Sequence, residues 1–189
     1  NRGRGAMRPT VLDDLVADMR AHTPGHVCVT GDLVNIALDA EVHSARAWLM
    51  SLGAAADVSV VPGNHDAYVR TALKQATEVW GPFLTGDGSE HVRFPYLRRR
   101  GPVAFVGVSS AKATGPFMAT GTFDVSQGMR LAELLETLGR EGLFRCVMIH
   151  HPPIRGAAPW AARLIGAERF RRIVREAGAE LVLHGHTHK

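Results

Sequence analysis

The chain has 189 residues, 46% of them hydrophobic and 21% charged, with a formal net charge of +4. That is enough for one domain with a real core, and no apolar stretch approaches the roughly 18 residues a membrane span needs. No signal peptide is legible at the start, and aromatics at 6% leave no stacking platform for nucleic acid, so neither partner is expected. The two cysteines exclude a disulfide framework. Cys28 and Cys146 each lie inside an apolar run and read as buried free thiols, which suits a reducing compartment and makes the cytoplasm the expected location. The basic runs NRGRG (1–5) and RRR (98–100) read as loops or solvated faces, with anion steering as the alternative.

The first predicted helix starts near Thr10, gathers Val11, Leu12, Leu15, Val16 and Met19 on one face, and ends at HTPG (22–25). HVCVT (26–30) follows as a short strand. Asp39 caps a helix that reaches Leu52 and stops at Gly53, and 57–61 is a second strand. An alanine-rich helix over 69–80 is closed by Gly-Pro. Strands over 91–97 and 102–108, joined by the arginine run, suggest an antiparallel excursion in an otherwise βα-alternating chain. Residues 115–124 read as loop. Ser126 caps a helix carrying Met129, Leu131, Leu134, Leu135 and Leu138, and Gly139 ends it. A strand over 143–149, a helix over 163–177 closed by Gly178, and a strand over 180–184 complete a single domain spanning 1–189.

Four chemistry-bearing segments follow apolar runs: GDLVN (31–35), PGNHDAY (62–68), MIHHPP (148–153) and HGHTH (184–188). In an open α/β protein such loops collect at one edge of the sheet. Asp32 offers a carboxylate after a turn-forming glycine, and Asn64, His65 and Asp66 offer an amide oxygen, an imidazole and a second carboxylate. Taken singly, each of these could be no more than a turn. Consecutive side chains diverge at a strand end, so His150 is the better ligand and His151 lines the pocket or supports it by hydrogen bonding. His186 and His188, two apart in an extended segment, would share one side, with His184 structural. No zinc-finger spacing, phosphate-binding P-loop or serine nucleophile elbow is present.

Asp32, Asn64, His150, His186 and His188 thus form a nitrogen and oxygen donor set without thiolate. It suits two divalent or trivalent transition-metal ions (Mn, Fe, Zn or Co) better than Mg or Ca. A carboxylate shared between two ions, with imidazoles on either side, suits phosphoryl hydrolysis by a bridging water attacking in line.

In order and spacing, GDLVN, GNHD, HHPP and GHTH resemble the motifs of the calcineurin-like metallophosphoesterase superfamily. The forms are nearest its class III cyclic-nucleotide and glycerophosphodiester phosphodiesterase branch, and GTFDVSQGMRLAELL (121–135) resembles a further segment of that branch. The resemblance implies an α/β, α+β-mixed fold: a four-layer sandwich of two mixed sheets flanked by helices. It also implies a binuclear hydrolase of small phosphoesters, diesters favoured, with self-association left open. By that resemblance Asp32 bridges the ions, Asn64, His150 and His186 complete one, and His188 binds the other. His65 acts on the phosphoryl group or leaving group, and Asp66 orients it. The family's opening Asp-x-His has no counterpart before Asp32. A piece of a longer chain, incomplete at both ends, is the expectation. The alternative is a non-catalytic, metal-supported phosphate-binding or scaffold protein.

Overall fold

A computed structural model describes residues 9–69 and 71–188; the basic NRGRG run lies outside the described residues. Helix α1 (Pro9–Ala21) leads into β1 (Val27–Val29), α2 (Asp39–Leu52) and β2 (Val58–Val60). Next come α3 (Ala72–Leu84), β3 (Tyr96–Arg100), β4 (Val103–Gly107) and β5 (Gly121–Thr122). The chain closes with α4 (Val125–Arg140), β6 (Phe144–Met148), β7 (Leu164–Ile165), α5 (Ala167–Ala177) and β8 (Leu181–Leu183).

Two sheets do most of the building. β1 and β2 pair in parallel, and the larger sheet runs β3-β4-β6-β8, antiparallel only at β3–β4. β5 and β7 form a separate parallel pair. Side-chain alternation gives the central strands of the larger sheet, β4 and β6, two covered faces. Ala104, Val106 and Val147 pack with Leu131, Leu135 and Leu138 of α4 and Phe170 and Ile173 of α5. The opposite face carries Tyr96 and Met148 against Cys28 and Val61 of the smaller sheet's layer. Behind that smaller sheet, Val58 and Val60 meet Val42 and Leu49 of α2 and Trp80, Phe83 and Leu84 of α3. The layers therefore run helices, sheet, sheet, helices, the expected mixed α/β sandwich. One of the two main sheets is purely parallel rather than mixed.

Several local expectations give way to packing. α3 does not stop at Gly81-Pro82 but runs through Pro82 to Leu84. An internal proline costs about 3 kcal/mol, and full burial of Phe83 and Leu84, at about 1.5–3 kcal/mol each, outweighs it. The run 98–100 is not the link between strands but strand β3 itself; Gly101 and Pro102 make the turn. Arg98 is buried, and burial works against its charge. Its guanidinium answers by donating to the carbonyls of Thr85, Ala55, Ala56, Val58 and Pro82 at 2.6–3.1 Å, tying β3 to the start of β2 and the end of α3. Tyr96 Oη adds a bond to the Val60 carbonyl at 2.8 Å.

Caps differ by a residue or two from the expected ones. Asp124, not Ser126, caps α4 by accepting the Gln127 N–H at 2.8 Å. Glu41, not Asp39, serves the start of α2, accepting from the N–H of Leu38 at 2.9 Å and of Ile36 at 3.2 Å. On α1, Val11, Leu12 and Leu15 stay exposed while Val16 and Met19 are half-buried, so its apolar face is only partly covered.

Candidate metal centre

The loops after β1, β2, β6 and β8 carry GDLVN, PGNHD, HHPP and GHTH, and close approach between the first two needs glycine twice. A Cβ on Gly31, whose φ is +92°, would stand 2.5 Å from the Gly63 nitrogen. A Cβ on Gly63 would stand 2.1 Å from Asp32 Oδ1. Asp32 itself has φ +59°, left-handed backbone that costs a non-glycine residue about 1–2 kcal/mol. Asp66 holds that conformation. Its wholly buried carboxylate accepts the N–H groups of Gly63 (2.7 Å), Asp32 (2.9 Å), Leu33 (2.9 Å) and Val34 (3.3 Å). Burial pushes the Asp66 carboxyl upward while the Gly63 N–H opposes it. No bond joins Asp66 to the His65 ring. The contact the resemblance implied is replaced by a tie between the two loops.

His150 shows how the centre is poised. Its Nδ1 lies 2.6 Å from the Thr30 carbonyl oxygen, which can only accept, so Nδ1 carries a proton. Nε2 faces inward, 3.2 Å from Asn64 Oδ1, 3.2 Å from His186 Nδ1 and 3.3 Å from Asp32 Oδ2. His186 repeats the logic with its ring reversed: Nε2 donates to the Ala162 carbonyl at 2.9 Å, which leaves Nδ1 for the centre. Around His150 Nε2, therefore, stand a second lone-pair nitrogen and two acceptor oxygens, an arrangement that only a cation or an added proton can reconcile. Donors about 2.0–2.1 Å from a tetrahedral ion stand about 3.3 Å apart, the spacing found around His150 Nε2. Carbonyls that fix the outer ring nitrogen are the usual support of histidine ligands. The residues present fit a metal ion.

Burial works against the Asp32 carboxylate, but His150 and the His65 N–H at 2.9 Å more than offset it and hold its pKa low. Burial, with His150 next, lowers His186.

His151 belongs to the cluster without sharing its role. One ring nitrogen from each of His150, His151 and His186 lies within 4.8 Å of the others. Yet both His151 ring nitrogens are taken: Nε2 donates to the Ala119 carbonyl at 3.0 Å, and Nδ1 accepts from Ser110 Oγ at 2.8 Å. Burial, reinforced by His150, lowers its pKa to about 3, so the ring is neutral. Against Gly121 it packs so closely that a Cβ there would stand 2.3 Å from its Nδ1.

His65 is half-buried. Its Nδ1 donates to the Asn35 carbonyl at 2.5 Å, leaving Nε2 free, and Tyr68 stacks nearby at 6.5 Å between centroids. The expectation for His188 rested on an extended segment that does not form. His186 has φ +72° and His188 φ +52°, so strand alternation does not apply, and His188 is exposed. The carbonyls of Thr30, Ala162, Ala119 and Asn35 were missed because a main-chain oxygen leaves no mark in a sequence. A cleft of about 710 Å³, lined by Glu78, Asp87, Glu90 and Arg98 among others, opens between the end of α3 and the 85–92 loop, apart from these histidines.

A cluster of three histidines that could hold a metal ion, at a sheet edge of a four-layer α/β sandwich, suggests a metal-dependent hydrolase. The calcineurin-like phosphoesterase family model matches residues 8–189, and the chain belongs to that family. No curated protein matches it. Among the described residues no helix is long and apolar enough to cross a membrane.

Proposed function

We propose that the protein hydrolyses small phosphoesters, phosphodiesters in preference to monoesters. One observation supports the reading: with its tautomer locked by the Thr30 carbonyl, His150 presents Nε2 within 3.2–3.3 Å of His186 Nδ1, Asn64 Oδ1 and Asp32 Oδ2. These four residues would hold one transition-metal ion (Mn, Fe, Zn or Co), and Asp32 with His188 would serve a second. When bound, such ions polarise phosphoryl oxygens and make water acidic enough to serve as a nucleophile near neutral pH. His65, outside the ligand set and with Nε2 free, protonates the departing alcohol; the Asn35 carbonyl keeps its ring turned for that task. Asp66 works through the backbone, holding the Asp32 and Asn64 loops together. A cytoplasmic setting rests on two cysteines that remain free thiols.

The test is to load the purified protein with Mn or Zn and assay an aryl phosphodiester beside the matching monoester. Turnover of both, faster for the diester, is expected. Bound metal with turnover of neither would overturn the enzyme reading and leave a metal-supported phosphate-binding protein.

A further inference from the structure

Trp160 differs from the chain's other tryptophans. Trp80 is wholly buried and Trp48 packs against the α2–α3 core, whereas Trp160 is 69% exposed. It also has a partner of its own. The Arg163 guanidinium stacks over its ring at 4.5 Å and donates to the Trp160 carbonyl at 2.6 Å. The 3-10 turn it opens (Trp160–Ala162) is pinned on both sides, Ala161 accepting from the Ala119 N–H at 2.8 Å and Arg163 from the Gly121 N–H at 3.2 Å.

Those pins reach the metal centre. Ala162, two residues on, supplies the carbonyl that sets the tautomer of His186, and Ala119 accepts from His151. An exposed indole with one face backed by a cation is therefore mounted on the turn that orients a candidate metal ligand. Burial is forgone at this ring, and the side chain has few torsions left to freeze on binding, which is what a stacking surface requires. Arg163 places positive charge beside the ring, favourable for a ligand that also carries phosphate.

We propose that Trp160 stacks on a planar aromatic or heterocyclic ring carried by the phosphoester, so that the protein selects such esters over aliphatic ones. This rests on the phosphoesterase reading, and its test separates the two. Calorimetry on the Zn-loaded protein compares adenosine monophosphate with glycerol phosphate, two monoesters with the same anionic head. The wild type should prefer the nucleotide about 5- to 100-fold. Trp160→Leu, at an exposed position, should lose that preference, and Trp160→Phe should keep most of it. In turnover, Trp160→Leu should raise KM for bis(4-nitrophenyl) phosphate by a similar factor with kcat little changed, and leave an aliphatic diester unaffected. Nucleotide and aryl arms together distinguish a nucleobase from any planar ring. Equal binding of the two monoesters by wild type, or a preference surviving in Trp160→Leu, overturns the proposal. If the preference holds and vanishes as expected while no ester is hydrolysed, the platform stands and the hydrolase reading falls.

Discussion

The Asp66 carboxylate accepts the main-chain N–H of Asp32 at 2.9 Å, so the residue that could bridge two ions is held in left-handed backbone by a second carboxylate whose oxygens are engaged by main-chain N–H groups. Asp66→Asn preserves the shape but turns one acceptor into a donor facing N–H groups. A buried amide left without its acceptor costs about 1–3 kcal/mol. The expected result is a lowered urea midpoint together with reduced metal content, read by elemental analysis. Unchanged metal content at reduced turnover would instead make Asp66 a participant in proton transfer.

His65→Asn should separate chemistry from metal binding. The ring lies outside the donor set around His150, so metal content should stay near the wild-type value. Turnover of a phosphodiester with a poor leaving group should fall about 10²- to 10⁴-fold. The loss should shrink for a nitrophenyl leaving group, which departs without a proton. Equal losses on both substrates would remove the general-acid role.

Acid should loosen the fold through imidazoles that the native state keeps neutral. Burial, then the charges of Arg100 and Arg98, lower His26 to about 4 from 6.5, and His151 lies at about 3. The unfolded chain binds these protons first. Their contribution is complete above pH 6.5 and drains as pH falls, until about pH 4 for His26 and about pH 3 for His151. His26 stacks on Phe105 at 4.4 Å, its buried Nδ1 has no partner and its Nε2 meets Ser59 Oγ at 2.8 Å, so Phe keeps the stacking and gives up one hydrogen bond. In His26→Phe, the urea midpoint should fall less steeply between pH 6.5 and 4 than in the wild type; an identical slope would contradict the assignment.

Metal stoichiometry should discriminate among the histidines. His150→Ala removes the atom at which all three short donor contacts meet, and should abolish tight binding of the first ion. His188 is exposed and absent from that set, so His188→Ala should leave it in place. For the 189-residue chain, elemental analysis after dialysis should find about one ion or fewer per molecule. A stable value of two would show that His188 and Asp32 suffice for the second.

Residues with a backbone or packing signature were legible in sequence. Gly31 and Gly63 announced tight turns, and His150 and His151, expected to differ, do have different partners, although both lie past the end of β6 at Met148. Local alternation failed for His186 and His188 because both take left-handed backbone, which sequence spacing cannot show. Arg98–Arg100 misled for another reason. Charge argued for solvent, but Arg98 finds five carbonyls from segments at least 13 positions away, a tertiary compensation with no local trace. Pro82 likewise looked like an end until Phe83 and Leu84 found their core.

The donor set is drawn from both main sheets: Asp32 and Asn64 follow β1 and β2, while His150 and His186 follow β6 and β8. An ion held there would rivet one layer of the sandwich to the other across their seam. Any breathing that parts the layers would withdraw its ligands in pairs rather than singly. Ion release and the slow exchange of the β1 and β2 amides would then be paced by one opening event, and a chelator would act on the protein as a lubricant between its sheets.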